Sequence, residues 1–324
     1  MILKSLLLKT FYFLLFLLLG IYVTVYLHKK ILAHMQSRRG PLHTGFHGIL
    51  QTLSQTLKLL LKSPKNFLKS QNLVITIGAI ISTTFAIAAF LLIPLTGEIF
   101  FINVEISLPL CICFIVISNT GTFLSINRTG LNTNKIFSLL DRISTTIVFS
   151  VPLFISSLGP VTFASSFNLF EIVKSQGRFY NIIYQPLSMI VFSVTCLLLW
   201  QRLSLDVPSK NTYLNIDYLS TQTGLNLLMF SISEYINILS LSLLATLLFF
   251  GGWNGPGFLH PIIWTIIKTF ILQVMFLFLY TVIPKIKSIK RKINISLAFL
   301  SSLSLLNLLI VIFVVLYLKP IFNL

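Results

Sequence analysis

The sequence predicts an all-α, polytopic integral membrane protein with about eight transmembrane helices and an amphipathic surface helix after the first span. Three observations predict it. Of 324 residues 56% are hydrophobic and only 10% charged, against about 25% charged in a soluble domain, and the mean hydropathy is +0.93. Apolar runs of about 20 residues, enough to cross a bilayer, recur along the chain. The Lys and Arg residues crowd into alternate short loops between those runs, as membrane topology demands.

The first apolar run, roughly 8–27, starts like a secretory signal. It has no clear small-residue cleavage site, and its apolar character continues to Leu27, so it is expected to remain as a span. Residues 28–72 follow as a basic insertion with eight Lys or Arg and no acid. Within it Met35-Gln36-Ser37-Arg38-Arg39-Gly40-Pro41 spells a sharp turn. Beyond the turn Phe46, Ile49, Leu50, Leu53, Leu57 and Leu60 recur at helical spacing, with His47, Gln51, Ser54, Gln55, Lys58 and Lys62 on the other face. Such a helix lies along a membrane surface, and its plainest role is contact with anionic lipid.

Further spans are predicted at roughly 73–95, 104–124, 143–164, 180–200, 225–250, 261–283 and 294–318, with a second long basic-side connection at 201–224. Their even spacing argues for a single membrane domain over 1–324. No internal repeat is visible, which counts against an inverted-repeat carrier. With eight spans, eighteen of the 24 Lys and Arg residues fall on one side, five on the other, and Lys268 lies inside the seventh span. Both termini are therefore expected on the less basic side.

The net charge of +17 points to topology rather than to nucleic acid, because the basic residues do not share one polar face. Cys111, Cys113 and Cys196 lie within apolar runs and suggest neither disulfides nor zinc. His28, His34, His43 and His47 crowd into twenty positions, but Gly40-Pro41 and Gly45 interrupt them, and no metal site is expected. No phosphate-binding loop, dinucleotide fingerprint or nucleophilic triad is present, so neither hydride transfer nor ATP hydrolysis is expected within this chain.

Of the seven acids only Glu234 is clearly intramembrane, roughly 14 Å into the sixth span. An ionisable group at that depth costs about 2.5–3.5 kcal/mol on insertion scales, which marks it as functional. Lys268 lies about as deep from the opposite face of the next span, so a Glu234–Lys268 pair is expected, direct or through water.

The stretch after the first span resembles that of subunit 1 of NADH:ubiquinone oxidoreductase, respiratory complex I. Met35, Gln36, Arg38, Gly40, Pro41, Gly45, Gly48, Leu50, Gln51, Lys58 and Leu59 match the family pattern at the same spacings. Arg202 and Asp206 match a later basic-side loop, Glu234, Tyr235 and Asn237 the sixth span, Phe250-Gly251 in part the stretch after it, and Lys268-Thr269 the seventh; Thr281 and Pro284 fall in a further matching neighbourhood. The departures are mostly lost acids. Family carboxylates align with His28, Gln55, Ser63, Val151, Ser209, Asn211 and Tyr213, and a family arginine aligns with Tyr280. Asn215-Ile216-Asp217-Tyr218 is a displaced counterpart of another acidic motif.

The resemblance implies a core membrane subunit that forms part of the ubiquinone tunnel where membrane and peripheral arms meet, linking quinone reduction by NADH-derived electrons to proton translocation. It implies quinone-tunnel roles for Gln36, Arg38, Gly40, Pro41, Phe46, Leu53, Leu57 and Lys58, and proton-path roles for Arg202, Asp206, Glu234 and Lys268. Ubiquinone would be the substrate, with FMN and iron–sulfur clusters in partner subunits and no cofactor held by this chain alone. The partners implied are the quinone-site peripheral-arm subunits, small neighbouring membrane subunits and membrane lipid, in the mitochondrial inner membrane with both termini toward the intermembrane space. Three explanations of the lost acids stay open: other subunits supply them, coupling runs through Asp206, Glu234 and Lys268, or the quinone site survives with weaker coupling. The alternatives in other classes are a secondary transporter with a Glu234/Lys268 site and a structural membrane anchor.

Overall fold

A computed structural model describes residues 2–42, 44–62, 69–124, 133–177, 179–200, 224–257, 259–282 and 294–317. Among the described residues there are helices and no strands. The main elements are α1 (Ile2–Met35), α2 (Gln51–Leu61), α3 (Lys69–Leu91), α4 (Ser107–Leu124), α5 (Thr133–Ala164), α6 (Leu169–Ser175), α7 (Asn181–Tyr184), α8 (Pro186–Trp200), α9 (Leu225–Phe249), α10 (Pro261–Val282) and α11 (Ser301–Tyr317), the last entered through a π-helical turn at Ile295–Leu300.

Among the described residues six helices are long and apolar enough to cross a membrane: Lys9–Met35, Leu73–Leu91, Ile143–Ala164, Leu225–Phe249, Pro261–Val282 and Ile295–Tyr317. The expected third and fifth spans are shorter apolar helices, Ser107–Thr122 and Pro186–Trp200. The fifth is shortened because its first turn, α7, ends at Tyr184 and the chain restarts at Pro186, which supplies no backbone N–H to continue it. Two boundaries also move. α1 runs on to Met35, eight residues into the expected loop, and α5 begins at Thr133, before the expected 143.

α9 is the axle of the bundle. Every residue from Ser233 to Phe249 is buried, with α1, α3, α4, α5, α8 and α10 packed around it. A helix apolar on all sides has no preferred face, and α9 shows none, because each side meets protein. Its small hydroxyl residues bond locally: Ser240 and Thr246 return their hydroxyls to carbonyls of their own helix, at Ile236 and Leu243. The outer spans instead turn Leu14, Leu18, Leu309, Ile310 and Phe313 outward, where lipid is the solvent.

α5 carries Pro152 and Pro160 in its interior. Each proline removes the hydrogen bond to the carbonyl four residues earlier, at Val148 and Ser156. Both freed carbonyls are met by serines of neighbouring helices. Ser296 Oγ donates to Val148 O at 3.0 Å, and Ser188 Oγ donates to Ser156 O at 3.0 Å. Asn307 Nδ2 in turn donates to Ser188 Oγ at 2.7 Å, joining α5, α8 and α11. The prolines are thus tolerated at membrane depth because neighbouring side chains satisfy the backbone they interrupt.

Candidate functional site

The basic-side turn and surface helix are built on the exposed end of α1. Ser37 adopts φ +56°, and the chain reverses through Arg38, whose N–H donates to Ala33 O at 2.8 Å. Gly40 then packs against Lys30 and Ala33. Gly48, at φ +77°, lies so close to Pro41 that a Cβ there would collide with the proline carbonyl. Only glycine fits both that backbone and that contact. These constraints delay the surface helix: Phe46–Gly48 is a 3-10 turn, and α2 proper starts at Gln51 rather than at the first residue of the apolar pattern.

The 3-10 turn and α2 together are tied to α1 by three side chains. Tyr22 donates to Ile49 O, Tyr26 donates to His47 O at 3.2 Å, and Lys29 donates to Gln55 Oε1. The apolar residues that the pattern singled out face outward: Phe46 is 79% exposed, and Leu50, Leu53, Leu57 and Leu60 are also exposed. Gln36, Arg38 and Lys58 are exposed as well, while Gly40 and Pro41 are half-buried in the turn. The structure therefore brings the eight expected tunnel residues into one turn-and-helix unit, with the apolar face uncovered. His43 lies outside the described residues, and among those described no cluster of three or more metal-ligating side chains occurs.

Glu234 and Lys268 do not pair as expected. The Lys268 ammonium reaches away from the bundle centre and donates to Phe250 O at 2.8 Å, Gly252 O at 3.1 Å and Asn254 O at 2.5 Å, with the Tyr180 ring 4.7 Å from it. It caps the end of α9 and the Gly251-Gly252 turn, on the less basic side. Phe250 is sixteen residues beyond Glu234, roughly 24 Å along the helix. The expectation failed because it placed the charge at the depth of the Lys268 Cα, whereas a lysine stem extends toward polar backbone. With the pair goes the site on which the transporter alternative rested.

Glu234 itself is buried, 4% exposed, one turn from a polar node. Asn237 Nδ2 donates to Ser118 Oγ and to Asn119 Oδ1, both at 2.9 Å, and Ser118 Oγ donates to Ser82 O at 2.8 Å. That network stitches α3, α4 and α9 together in the interior. Arg202 and Asp206, with the rest of 201–223, lie outside the described residues.

Sequence reasoning missed one feature at the same basic-side end. His28, counted there as the start of a polar loop, is buried in α1 at 8% exposure. Its Nδ1 lies 3.3 Å from the Tyr235 hydroxyl of α9. Its ring centre is 5.7 Å from that of Trp200 on α8 and 6.0 Å from that of Tyr280 on α10, and those two rings stack at 4.6 Å. Four helices thus converge on one imidazole. The signal available in sequence was that His28 and Tyr280 both depart from the family pattern; the structure sets these two departures side by side.

The family model described as NADH dehydrogenase matches residues 8–312 of this chain. Among curated proteins, the chain is 28% identical over 271 residues to the second H-type subunit of the NADH-quinone oxidoreductase of Rhizobium etli, covering 80% of this chain and 79% of that one. It is 27% identical over 269 residues to the protein of the same name from Rhizobium meliloti, covering 80% and 82%. With the H-type subunit of the NADH-quinone oxidoreductase of Dehalococcoides mccartyi it shares 27% identity over 304 residues, covering 93% and 84%.

Proposed function

This chain belongs to the NADH dehydrogenase family, and from that premise we propose that it is an H-type membrane subunit of an NADH-quinone oxidoreductase whose basic-side turn and surface helix form one wall and the mouth of the quinone passage. The observation that carries this is the uncovered apolar surface of the turn-and-helix unit: Phe46, Leu53 and Leu57 are exposed, while Tyr26 and Lys29 of α1 bond His47 and Gln55. An isoprenoid tail laid along that face gains about 25 cal/mol for each Å² of apolar area covered. Arg38, exposed at the turn, presents planar donors to a quinone carbonyl or to a carboxylate of a neighbouring subunit. Gln36 stands beside it as a second polar contact, and Lys58 marks the basic edge of the passage.

The division of labour follows from the resemblance. As it implies, electrons reach the quinone from partner subunits carrying FMN and iron–sulfur centres. This chain's part is to admit the quinone, orient its headgroup and keep the path apolar. Glu234 and the Asn237 node supply the polar interior through which quinone chemistry is felt in the membrane; the roles of Arg202 and Asp206 rest on the sequence resemblance alone. Lys268 holds the far end of α9 in place. The basic side faces the peripheral arm and the small neighbouring membrane subunits; the termini lie on the other side. The three relatives are bacterial, so a mitochondrial inner membrane rests on the sequence resemblance alone.

The test is to narrow the passage. In the assembled complex, Leu53→Trp and Arg38→Gln should lower NADH:quinone reductase activity while NADH oxidation by a hydrophilic acceptor is unchanged. Unchanged quinone reduction in both variants would remove the wall assignment and leave the surface helix as a lipid contact.

A further inference from the structure

We propose that Gln185, at the break between α7 and α8, binds a buried water molecule that it shares with the hydroxyl of Ser188. Gln185 is fully buried, and among the described residues neither Oε1 nor Nε2 of its amide has a hydrogen-bond partner. A buried polar group in a native protein is almost always bonded, to protein or to ordered water. The backbone is interrupted on both sides of this amide. Pro186 supplies no N–H to the Ile182 carbonyl one turn earlier, and Pro160 of α5 leaves the Ser156 carbonyl to Ser188. Interrupted helices in a membrane protein are made good by neighbouring side chains and by ordered water. In α5 serines do it; at the α7–α8 break the side chain present, Gln185, is itself in need of a partner.

The geometry selects the ligand. Gln185 Oε1 is 2.1 Å and Ser188 Oγ 3.1 Å from the point where a Cβ on Gly159 would stand. Both oxygens thus meet α5 at its one position without a side chain in this stretch, close enough together for a single water to bridge them. Ser188 Oγ donates to Ser156 O at 3.0 Å and accepts from Asn307 Nδ2 at 2.7 Å. That uses its proton and one of its two lone pairs, and the second lone pair takes a further donor. A water that accepts from Gln185 Nε2 and donates to Gln185 Oε1 and Ser188 Oγ makes three bonds, the usual complement of a buried water. A metal cation would suit Oε1 and be repelled by Nε2, and an anion the reverse. The amide therefore takes a small neutral molecule that both donates and accepts.

The water ties the α7–α8 break to the junction of α5, α8 and α11, so that polar contacts run from Gln185 through Ser188 to Ser156 and Asn307. The site owes nothing to the passage assignment above.

The experiment is X-ray radiolytic footprinting of the full chain in its membrane assembly, read by mass spectrometry, with Met189 as the reporter. Met189 follows Gln185 by one turn, its N–H donates to Gln185 O at 3.3 Å, and it is 7% exposed. A helical side chain leans over the preceding turn, which brings this one toward the amide. Hydroxyl radicals from bulk solvent do not reach so buried a thioether, whereas radicals born from a neighbouring bound water do. Met189 should be oxidised in the parent, while Phe90, fully buried on α3, should not. In Gln185→Leu, which keeps much of the bulk and removes both polar atoms, Met189 should fall to the level of Phe90. Detergent-titrated unfolding reads the same question through its sign. An amide without water would lower the folded-to-unfolded ratio by on the order of 10-fold for each orphaned atom, so Gln185→Leu would be strongly stabilising; with water bound it brings no gain. An unlabelled Met189 in the parent overturns the proposal, as does equal labelling in Gln185→Leu or a stabilised Gln185→Leu chain. Where Gln185→Leu does not assemble, the parent decides alone: a labelled Met189 sustains the site and an unlabelled one ends it.

Discussion

Replacing Lys268 with methionine separates the structural role found for it from the paired role that its depth suggested. Methionine keeps an apolar stem of similar length and removes the ammonium. Three charge-assisted bonds disappear, to the carbonyls of Phe250, Gly252 and Asn254. Hydrogen bonds to a charged group contribute about 1.5–3 kcal/mol each, but Phe250 and Asn254 are only half-buried and water can take up part of the loss there. A destabilisation of about 3 kcal/mol follows, on the order of 100-fold in the folded-to-unfolded ratio. Glu234 is roughly 24 Å away along α9, so the cost should add to that of Glu234→Gln within about 0.5 kcal/mol. The assay is detergent-titrated unfolding of the full chain in a double-mutant cycle. A coupling above about 1 kcal/mol, or rescue of Lys268→Met by Glu234→Gln, would refute the capping argument and restore the ion pair.

Two further outcomes follow from the same geometry. Gly48→Ala should destabilise the surface-helix junction by roughly 2 kcal/mol or more, through both a positive φ and a Cβ forced against Pro41 O; the readout is faster protease cleavage between 36 and 50, with the spans still protected. Ser188→Ala leaves the Ser156 carbonyl and Asn307 without their shared partner, and should cost about 1 kcal/mol, near the typical value for hydrogen bonds between membrane helices; Pro160→Ala in the same background should recover part of that loss, because it returns an N–H to the orphaned carbonyl.

The six long spans were legible because about 20 apolar residues in a row have few other uses. The end of α1 was not, because Lys29 and Lys30 read as loop residues while the helix carries them on, Lys29 reaching across to Gln55. The turn and surface helix were readable from Gly40-Pro41 and the apolar spacing. Their offset start was not, since it depends on Gly48 packing against Pro41. His28 was misjudged for a similar reason: its burial is conferred by Trp200, Tyr235 and Tyr280, three residues on other helices, and no local pattern around position 28 announces them. Lys268 shows the converse error, a correct position along the chain with the wrong destination for its side chain.

Tyr22 and Tyr26 fasten the surface helix by donating to main-chain oxygens, at Ile49 and His47. A clasp that reads backbone is indifferent to the side chains at the positions it holds. Replacing His47 or Ile49 therefore leaves both acceptors in place, and the segment can change its side chains there without coming loose from the helix that carries it.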